Sequence, residues 1–377
     1  MIEYLNDDCL SEIFRYLSIK EQLIVTAVNE RFCSIIIERF WRIKFNKFTT
    51  KGDASCDELN LTEFQIFYRL IAPHIKELTV HSTANVAFTS YLGRYTKRPD
   101  LAFYFHFEYP ELRVLRCYDQ QFHAGYLTSL IRKCPQLEVL KLISSYVTGE
   151  HLADFQQLRE LYVTSNKLEP KYFHAIFHHK KLTRIQLTGE CTVKRDMDAV
   201  LKSILPRISE LRYYDEEEHL TTQQFFAEST PLFRNLEKLY CQRLLSFVYS
   251  LQTLRELHFE CHVQLDDLFA LVHNNIHLEQ LYLGLNFSAL SKSREWVCEL
   301  SDLVRKQEQQ RKRELTIHLE RAQKAIQQLQ QVVEDHDLQH GYLKPAIKIR
   351  KLPIDTSQFP ILISKSGIEI ALKRNFN

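Results

Sequence analysis

The sequence predicts an α/β solenoid, with a curved parallel sheet inside and helices outside, preceded by a small all-α segment. Three observations predict it. An apolar residue followed by two more at the third and fifth places beyond it recurs nine times, with first positions from Ile75 to Leu278. The segments between these strand-like stretches carry apolar residues at helical spacing, such as Tyr126, Leu127, Leu130 and Ile131, or Phe173, Ile176 and Phe177. Residues 1–45 lack the recurring phase and are patterned as short helices.

The clearest copy is Leu158-x-x-Leu161-x-Val163-x-x-Asn166-x-Leu168. This is the leucine-rich-repeat pattern, in which the apolar positions turn inward from a short strand and the asparagine amide satisfies backbone groups of the turn. The first positions are Ile75, Leu112, Leu137, Leu158, Leu182, Ile208, Leu236, Leu254 and Leu278. From Leu112 onward they are offset by 25, 21, 24, 26, 28, 18 and 24 residues, close to the spacing of this repeat class. A tenth, weaker copy has Lys312 in first position but keeps Leu315 and Ile317. No single copy could bury its own apolar face, so the copies must stack.

Four segments follow in order: 1–45, the N-terminal helices; 46–72, a linker and capping helix; 73–320, the repeats; 321–377, a C-terminal helix and capping tail. In the first, Leu5, Leu10, Ile13, Phe14 and Leu17 share one helical face, with Asn6, Asp7 and Asp8 suited to capping its start. After a break at Ser18 come Leu23, Ala27 and Val28, then Phe32, Ile35, Ile36, Phe40 and Trp41, which makes about three helices. KFTTKGDASCDELN reads as loop, and LTEFQIFYRLI as a helix with Leu61, Phe64, Phe67 and Leu70 or Ile71 on one face. The aromatic run DLAFYFHFEYP reads as extended, a candidate additional strand. A helix spans residues 320–337, with Leu319, Ala322, Ile326, Leu329 and Val333 as its stripe; its length suits a cap for the last repeat better than a coiled-coil seam. Beyond Leu343, AIKIRKL, FPILISK and IEIALK read as edge strands.

Residues 1–45 resemble an F-box. The matched positions are Leu5, Asp7, Asp8, Leu10, Ile13, Leu17, Leu23, Val28, Arg31, Phe32 and Trp41. The chain departs from that pattern where Asn6 replaces the usual proline after the first leucine, where Asn29 replaces the usual cysteine after the valine, and where Phe32 replaces the common tryptophan. An F-box followed by leucine-rich repeats resembles the substrate receptors of Skp–cullin–F-box ubiquitin ligases. The resemblance implies a Skp-family adaptor and a cullin scaffold as partners, with Leu5, Leu10, Ile13, Leu17, Leu23 and Val28 as candidate adaptor contacts, some of which must instead form the helical core. A protein target would be held by the repeats for ubiquitination and proteasomal degradation. The alternative is an interaction scaffold outside any ligase.

Composition restricts the other classes. Lysine plus arginine number 49 against 47 aspartates and glutamates, a net charge of +2, which argues against a general polyanion-binding surface and hence against nucleic acid. No basic segment followed by an apolar core opens the sequence, and no apolar run could span a bilayer, so neither secretion nor a membrane is expected. Nine cysteines without a CxxC pair read as reduced, small, buried hydrophobes of a cytoplasmic or nuclear protein.

Catalytic signatures are missing from the sequence. The eight glycines are too far apart for a dinucleotide fingerprint, a phosphate loop or a nucleophile elbow. His174 and His178 are four apart on a helix, with His179 adjoining, but the glutamate of HExxH and a third ligand are lacking. That helix face, the His336 and His340 pair, and Asp215 to Glu218 all read as solvated surface. The expectation is therefore a non-enzyme with no cofactor and no metal.

Recognition is expected between the inward leucines, because strand side chains alternate. The column one place after the second leucine reads Thr79, Arg116, Lys141, Tyr162, Gln186, Arg212, Tyr240, His258 and Tyr282, without an acidic residue. The column one place before that leucine carries Glu77, Glu160, Glu210 and Glu256. Tyrosine and arginine dominate binding hot spots. Arg116, Lys141, Tyr162, Arg212, Tyr240, His258 and Tyr282 are accordingly the candidate target-binding residues on the concave face.

Overall fold

The computed structural model describes residues 2–50, 56, 58–81, 101–119, 121–143, 146–164, 169–178, 181–188, 202–214, 220–241, 246–259, 265–284, 315–320, 347–352 and 367–372. Two compact units divide the chain, Met1–Leu182 and Thr183–Asn377.

The first unit opens with helices α1 (Asp7–Arg15), α2 (Ile19–Thr26) and α3 (Glu30–Ile36), and α3 runs on through a π-helical turn to Trp41. Each start is capped. Asn6 Oδ1 accepts from the Cys9 amide at 2.8 Å, Ser18 and Glu21 form a reciprocal capping box, and Asn29 Oδ1 accepts from the Arg31 amide at 2.7 Å. Asn6 and Asn29, two of the departures from the F-box pattern, are therefore N-caps. Leu10, Phe14, Leu23, Phe32, Ile35, Ile36 and Trp41 make the core of this segment.

Helix α4 (Arg42–Lys44) leads to β1 (Lys47–Thr49), a strand where the sequence reads as loop. Three residues with one apolar side chain give too short a signal for periodicity. Phe48 pairs with Leu78 of β2 (Glu77–His81) and is buried, so it stands one strand ahead of the first repeat in the leucine register. Helix α5 (Leu61–Ile71) has the expected span, with a capping box between Asn60 and Glu63. Its inward face is Phe64, Phe67, Tyr68 and Ile71; Leu61 is exposed and Leu70 half-buried, so the face turns by one position from the sequence expectation. Its rings meet Trp41 and Phe48 edge to face.

The aromatic run expected to be extended folds instead as α6 (Leu101–Tyr104), followed by a turn. Leu101, Tyr104, Phe105 and Tyr109 are buried, and the Tyr109 hydroxyl donates to the Tyr104 carbonyl and sits 2.9 Å from the Tyr68 hydroxyl. Burial of so many rings on one side selects a helical turn over a strand that would alternate them between two faces. Burial also drives the Tyr68 and Tyr109 hydroxyls far above their ordinary range.

Beyond β2 the strands β3 (Val114–Tyr118), β4 (Val139–Ile143) and β5 (Glu160–Thr164) add in parallel. The register aligns Leu78, Leu115, Leu140 and Leu161, as the repeat phase requires. Helices α7 (Ala124–Lys133) and α8 (Pro170–Phe177) and a 3₁₀ turn at Leu152–Asp154 lie between or after these strands. The short repeat starting at Leu137 thus has only a 3₁₀ turn where the longer ones have helices.

The second unit repeats the arrangement with β6 (Arg184–Thr188), β7 (Glu210–Tyr214), β8 (Lys238–Cys241), β9 (Glu256–Phe259) and β10 (Gln280–Gly284), all parallel in the order of the chain. Helices α9 (Leu220–Ser229) and α10 (Leu265–Asn274) and a 3₁₀ segment at Ser246–Ser250 connect them. Strand β11 (Leu315–Glu320) joins β10 in parallel, and β13 (Gly367–Leu372) and β12 (Ile347–Leu352) continue antiparallel. The tenth copy is corrected here. Ile317, not Leu315, pairs with Leu281, and His318 pairs with Tyr282, a shift of two residues that keeps the same faces.

In both units the first and second leucine positions of every copy are buried, from Ile75 and Leu78 to Leu278 and Leu281. This is an α/β leucine-rich-repeat architecture, built as the sequence phase predicts. Cys56, Cys117, Cys134 and Cys241 are buried, and burial pushes the Cys134 thiol up to about 12. Leu319 and Glu320, expected to open a helix over 320–337, instead end strand β11; Asn166, Leu168, residues 321–337 and the FPILISK segment lie outside the described residues.

Candidate interaction sites

Exposed apolar side chains concentrate at one end of the sequence. Seven of the large hydrophobics that stand exposed among the described residues fall between Tyr4 and Ile43, against three in the rest. The helical segment needs nothing further to close its interior. Trp41 Nε1 donates to Gln22 Oε1 at 2.7 Å, and Gln22 Nε2 donates to the carbonyls of Phe14 and Leu17 at 3.0 and 3.2 Å. The amide of one buried glutamine thus ties the end of α1 to the end of the α3 extension. On the other side Arg31 donates to Asp7 Oδ1 and to the carbonyls of Glu3 and Leu5, all within 2.9 Å, which fastens the first residues against α3. These exposed apolar groups outside a satisfied core are the candidate interaction surface of this segment.

The structure separates the six candidate adaptor contacts. Leu10 and Leu23 are core, 0 and 7 % exposed, and cannot touch a partner. Leu17 is half-buried, while Leu5, Ile13 and Val28 are exposed. Tyr4, Tyr16, Ile24 and Ile43 belong to the same exposed set and were not among the candidates. Their sequence signal is an apolar residue off the core stripe: Tyr16 follows the Leu10–Phe14 line, and Ile24 puts a second apolar side chain beside Leu23 on a helix of only eight residues. Between Leu17, Ile19, Phe40, Trp41 and Ile43 opens a cavity of about 580 Å³, rimmed by Arg15, Arg39 and Lys44.

The second candidate surface is the outward face of the strands, described for each unit in turn. In the first unit Thr79, Arg116, Lys141 and Tyr162 stand in one register row across β2 to β5. Arg116 reaches Glu77 at 3.1 Å, and the Lys141 ammonium lies 4.4 Å over the Tyr162 ring. Arg116 and Lys141 are half-buried, whereas Tyr162 is buried. Glu77 also receives Lys47 of β1 at 2.7 Å; against the opposing effect of burial, these two cations hold its carboxyl below the usual range.

In the second unit the row is Gln186, Arg212, Tyr240, His258 and Tyr282 across β6 to β10. The last four form a continuous stack. The Arg212 guanidinium lies 4.2 Å over Tyr240, whose ring is 4.1 Å from His258, and His258 is 3.7 Å from Tyr282 with planes 7° apart. The neighbouring row supplies the anions: Glu210 faces Arg212 at 3.0 Å, and Glu256 accepts from the Tyr240 hydroxyl at 2.9 Å and faces His258 Nε2 at 2.7 Å and Lys238 at 2.5 Å. Burial alone would raise the Glu256 carboxyl; the hydrogen bonds from His258 and Lys238 overcome it and leave the group at about 2. Burial is also what holds His258 below its ordinary value. Arg212, Tyr240 and His258 are buried, and Tyr282 at the end of the stack is half-buried. All seven predicted residues thus lie on strand faces in two aligned rows, with Arg116, Lys141 and Tyr282 the more accessible members. The acidic row that pairs with them is the part the sequence reading left out of the site.

Other chemistry finds no assembled centre among the described residues, which hold no cluster of three metal-binding side chains. His174 and His178 are exposed, as a solvated helix face requires, while His179, His336, His340 and Asp215 to Glu218 lie outside the described residues. Among the described residues no helix is long and apolar enough to cross a membrane.

No protein family is matched by the chain, and no curated protein matches it. Among solved structures, an internalin from Listeria monocytogenes is similar at 12 % identity and a TM-score of 0.34, over 76 % of this chain and 88 % of that one. At that score the likeness supports no inference, and the fold rests on the strand register itself.

Proposed function

We propose that this chain is the substrate-recognition adaptor of a Skp–cullin–F-box ubiquitin ligase. The observation that carries the reading is the set of exposed apolar side chains, Leu5, Ile13, Tyr16, Ile24 and Val28, on a fully satisfied helical segment with F-box-like sequence. Such a segment binds the Skp-family adaptor, which in turn joins the cullin. The leucine-rich repeats hold a protein target: the first unit offers the half-buried Arg116 and Lys141 beside the buried Tyr162, and the second, taken by itself, offers the half-buried Tyr282 at the end of the buried Arg212, Tyr240 and His258. The chain performs no chemistry and needs no cofactor. It raises the effective concentration of target lysines at a ubiquitin carrier that other subunits provide, in the cytoplasm or nucleus.

Co-purification of the tagged full chain tests this. Recovery of a Skp-family adaptor and cullin is expected, with loss of both when residues 1–45 carry Ile13→Asp and Val28→Asp. Absence of the adaptor from the wild-type preparation would overturn the ligase reading. The departures at Asn6 and Asn29 favour the second reading, a scaffold outside any ligase, which predicts partners of the repeats without the adaptor.

A further inference from the structure

We propose that His174 and His178 chelate one divalent transition-metal ion of the zinc class at the C-terminal end of α8. The inference does not depend on the proposed ligase role. In sequence the two histidines are only a helical i, i+4 pair. In the structure their Nε2 atoms converge to 3.1 Å, with ring centroids 4.2 Å apart and planes at 61°. Zinc–imidazole bonds of about 2.0–2.1 Å place two cis nitrogens roughly 2.9 Å apart at a right angle and about 3.4 Å apart at the tetrahedral angle. The observed separation falls between these limits; the centroids lie closer than the roughly 4.8 Å at which both lone pairs aim at one ion, so a small turn of the rings seats it.

The surroundings favour a cation. His178 caps the helix, its amide bound to the His174 carbonyl at 3.1 Å, and the last turn presents the negative end of the helix dipole. Both side chains are exposed, so a hydrated ion reaches them directly. As neutral rings at this distance, one Nε2 must donate its proton to the other. On binding, that ring carries its proton on Nδ1 instead, both Nε2 lone pairs meet the metal, and the neutral pair releases no proton. Imidazole nitrogen selects zinc, nickel or copper over calcium or magnesium. No third histidine, cysteine, aspartate or glutamate joins the pair among the described residues. The remaining coordination positions therefore take water, or a donor from a docked protein.

The test uses the full chain carrying Cys9→Ser, because Cys9 is an exposed thiol that would compete. After treatment with a chelator, the protein is titrated with zinc chloride by calorimetry, beside His174→Ala and His178→Ala versions that touch no core residue. The expected result is one zinc ion per chain, lost or weakened at least about tenfold in each single variant. Binding by both variants as tight as the parent's overturns the proposal, as does no binding by the parent at millimolar zinc. Retention of affinity within about threefold in each variant would mean an adventitious ion only, and equal competition by magnesium would refute the assigned chemistry. Cobalt substitution gives an independent reading: thiolate charge-transfer absorption would place the ion elsewhere and overturn the assignment.

Discussion

Truncating Val28 and Ile24 to alanine separates partner binding from folding. Val28 is 66 % exposed and Ile24 61 %. Fully burying an aliphatic side chain is worth about 1.5–3 kcal/mol, so covering what each residue leaves open yields about 1–2 kcal/mol. Truncation removes most of that, and each substitution should weaken capture of the Skp-family adaptor about fivefold to thirtyfold. Neither residue supports the core, so unfolding free energy should change by less than about 0.5 kcal/mol. Leu10→Ala is the contrasting control: Leu10 is 0 % exposed, and its truncation should cost about 2–5 kcal/mol of stability. Affinity would be measured with purified full chain and adaptor, with urea unfolding of each variant in parallel. Unchanged affinity in both Ile24→Ala and Val28→Ala would refute the reasoning. So would weakened binding matched by an equal loss of stability, since the exposed side chains would then be structural.

Two further outcomes follow from the described contacts. Gln22→Met keeps the volume but strips a partner from the buried Trp41 indole and a donor from the Phe14 and Leu17 carbonyls. It should destabilise the helical segment by about 2–4 kcal/mol, seen as lost amide-exchange protection in α1 to α3 with the repeat strands unaffected; protection unchanged in these helices would show the amide to be dispensable. Acidification should loosen the second unit in two stages. His258 is held below its ordinary 6.5, so its unfolded form gains protons first and stability starts to fall below about that pH. Glu256, lowered from 4.5 to about 2, contributes fully above its unfolded value and loses that contribution as pH drops from about 4.5 towards 2. Exchange protection of β8 to β10 that stayed flat from neutral pH to pH 3 would contradict both assignments.

The leucine phase was legible in the sequence because stacking copies can bury an apolar face only if every copy repeats the same spacing, and Leu78, Leu115, Leu140, Leu211, Leu239, Leu257 and Leu281 all lie in the core. Helix starts were legible in part: Asn6 and Ser18 mark real caps. Short or aromatic segments were not. Phe48 is a strand residue through its pairing with Leu78, and the run from Leu101 to Tyr109 folds as a helical turn at Leu101–Tyr104 and a following turn through a many-sided aromatic core that no local period encodes.

For the candidate sites the division is sharper. Sequence alone determined which positions would form rows across the strands, since side-chain alternation is a property of the backbone. Only the tertiary structure decided that Arg212, Tyr240, His258 and Tyr282 stack on one another and that Glu210 and Glu256 engage them. Likewise, one apolar pattern in the N-terminal helices became two populations: Leu10 and Leu23 buried, Ile13 and Val28 exposed. The physical reason is common to both. A period specifies the face on which a side chain lies, but exposure and pairing depend on what the rest of the fold places against that face.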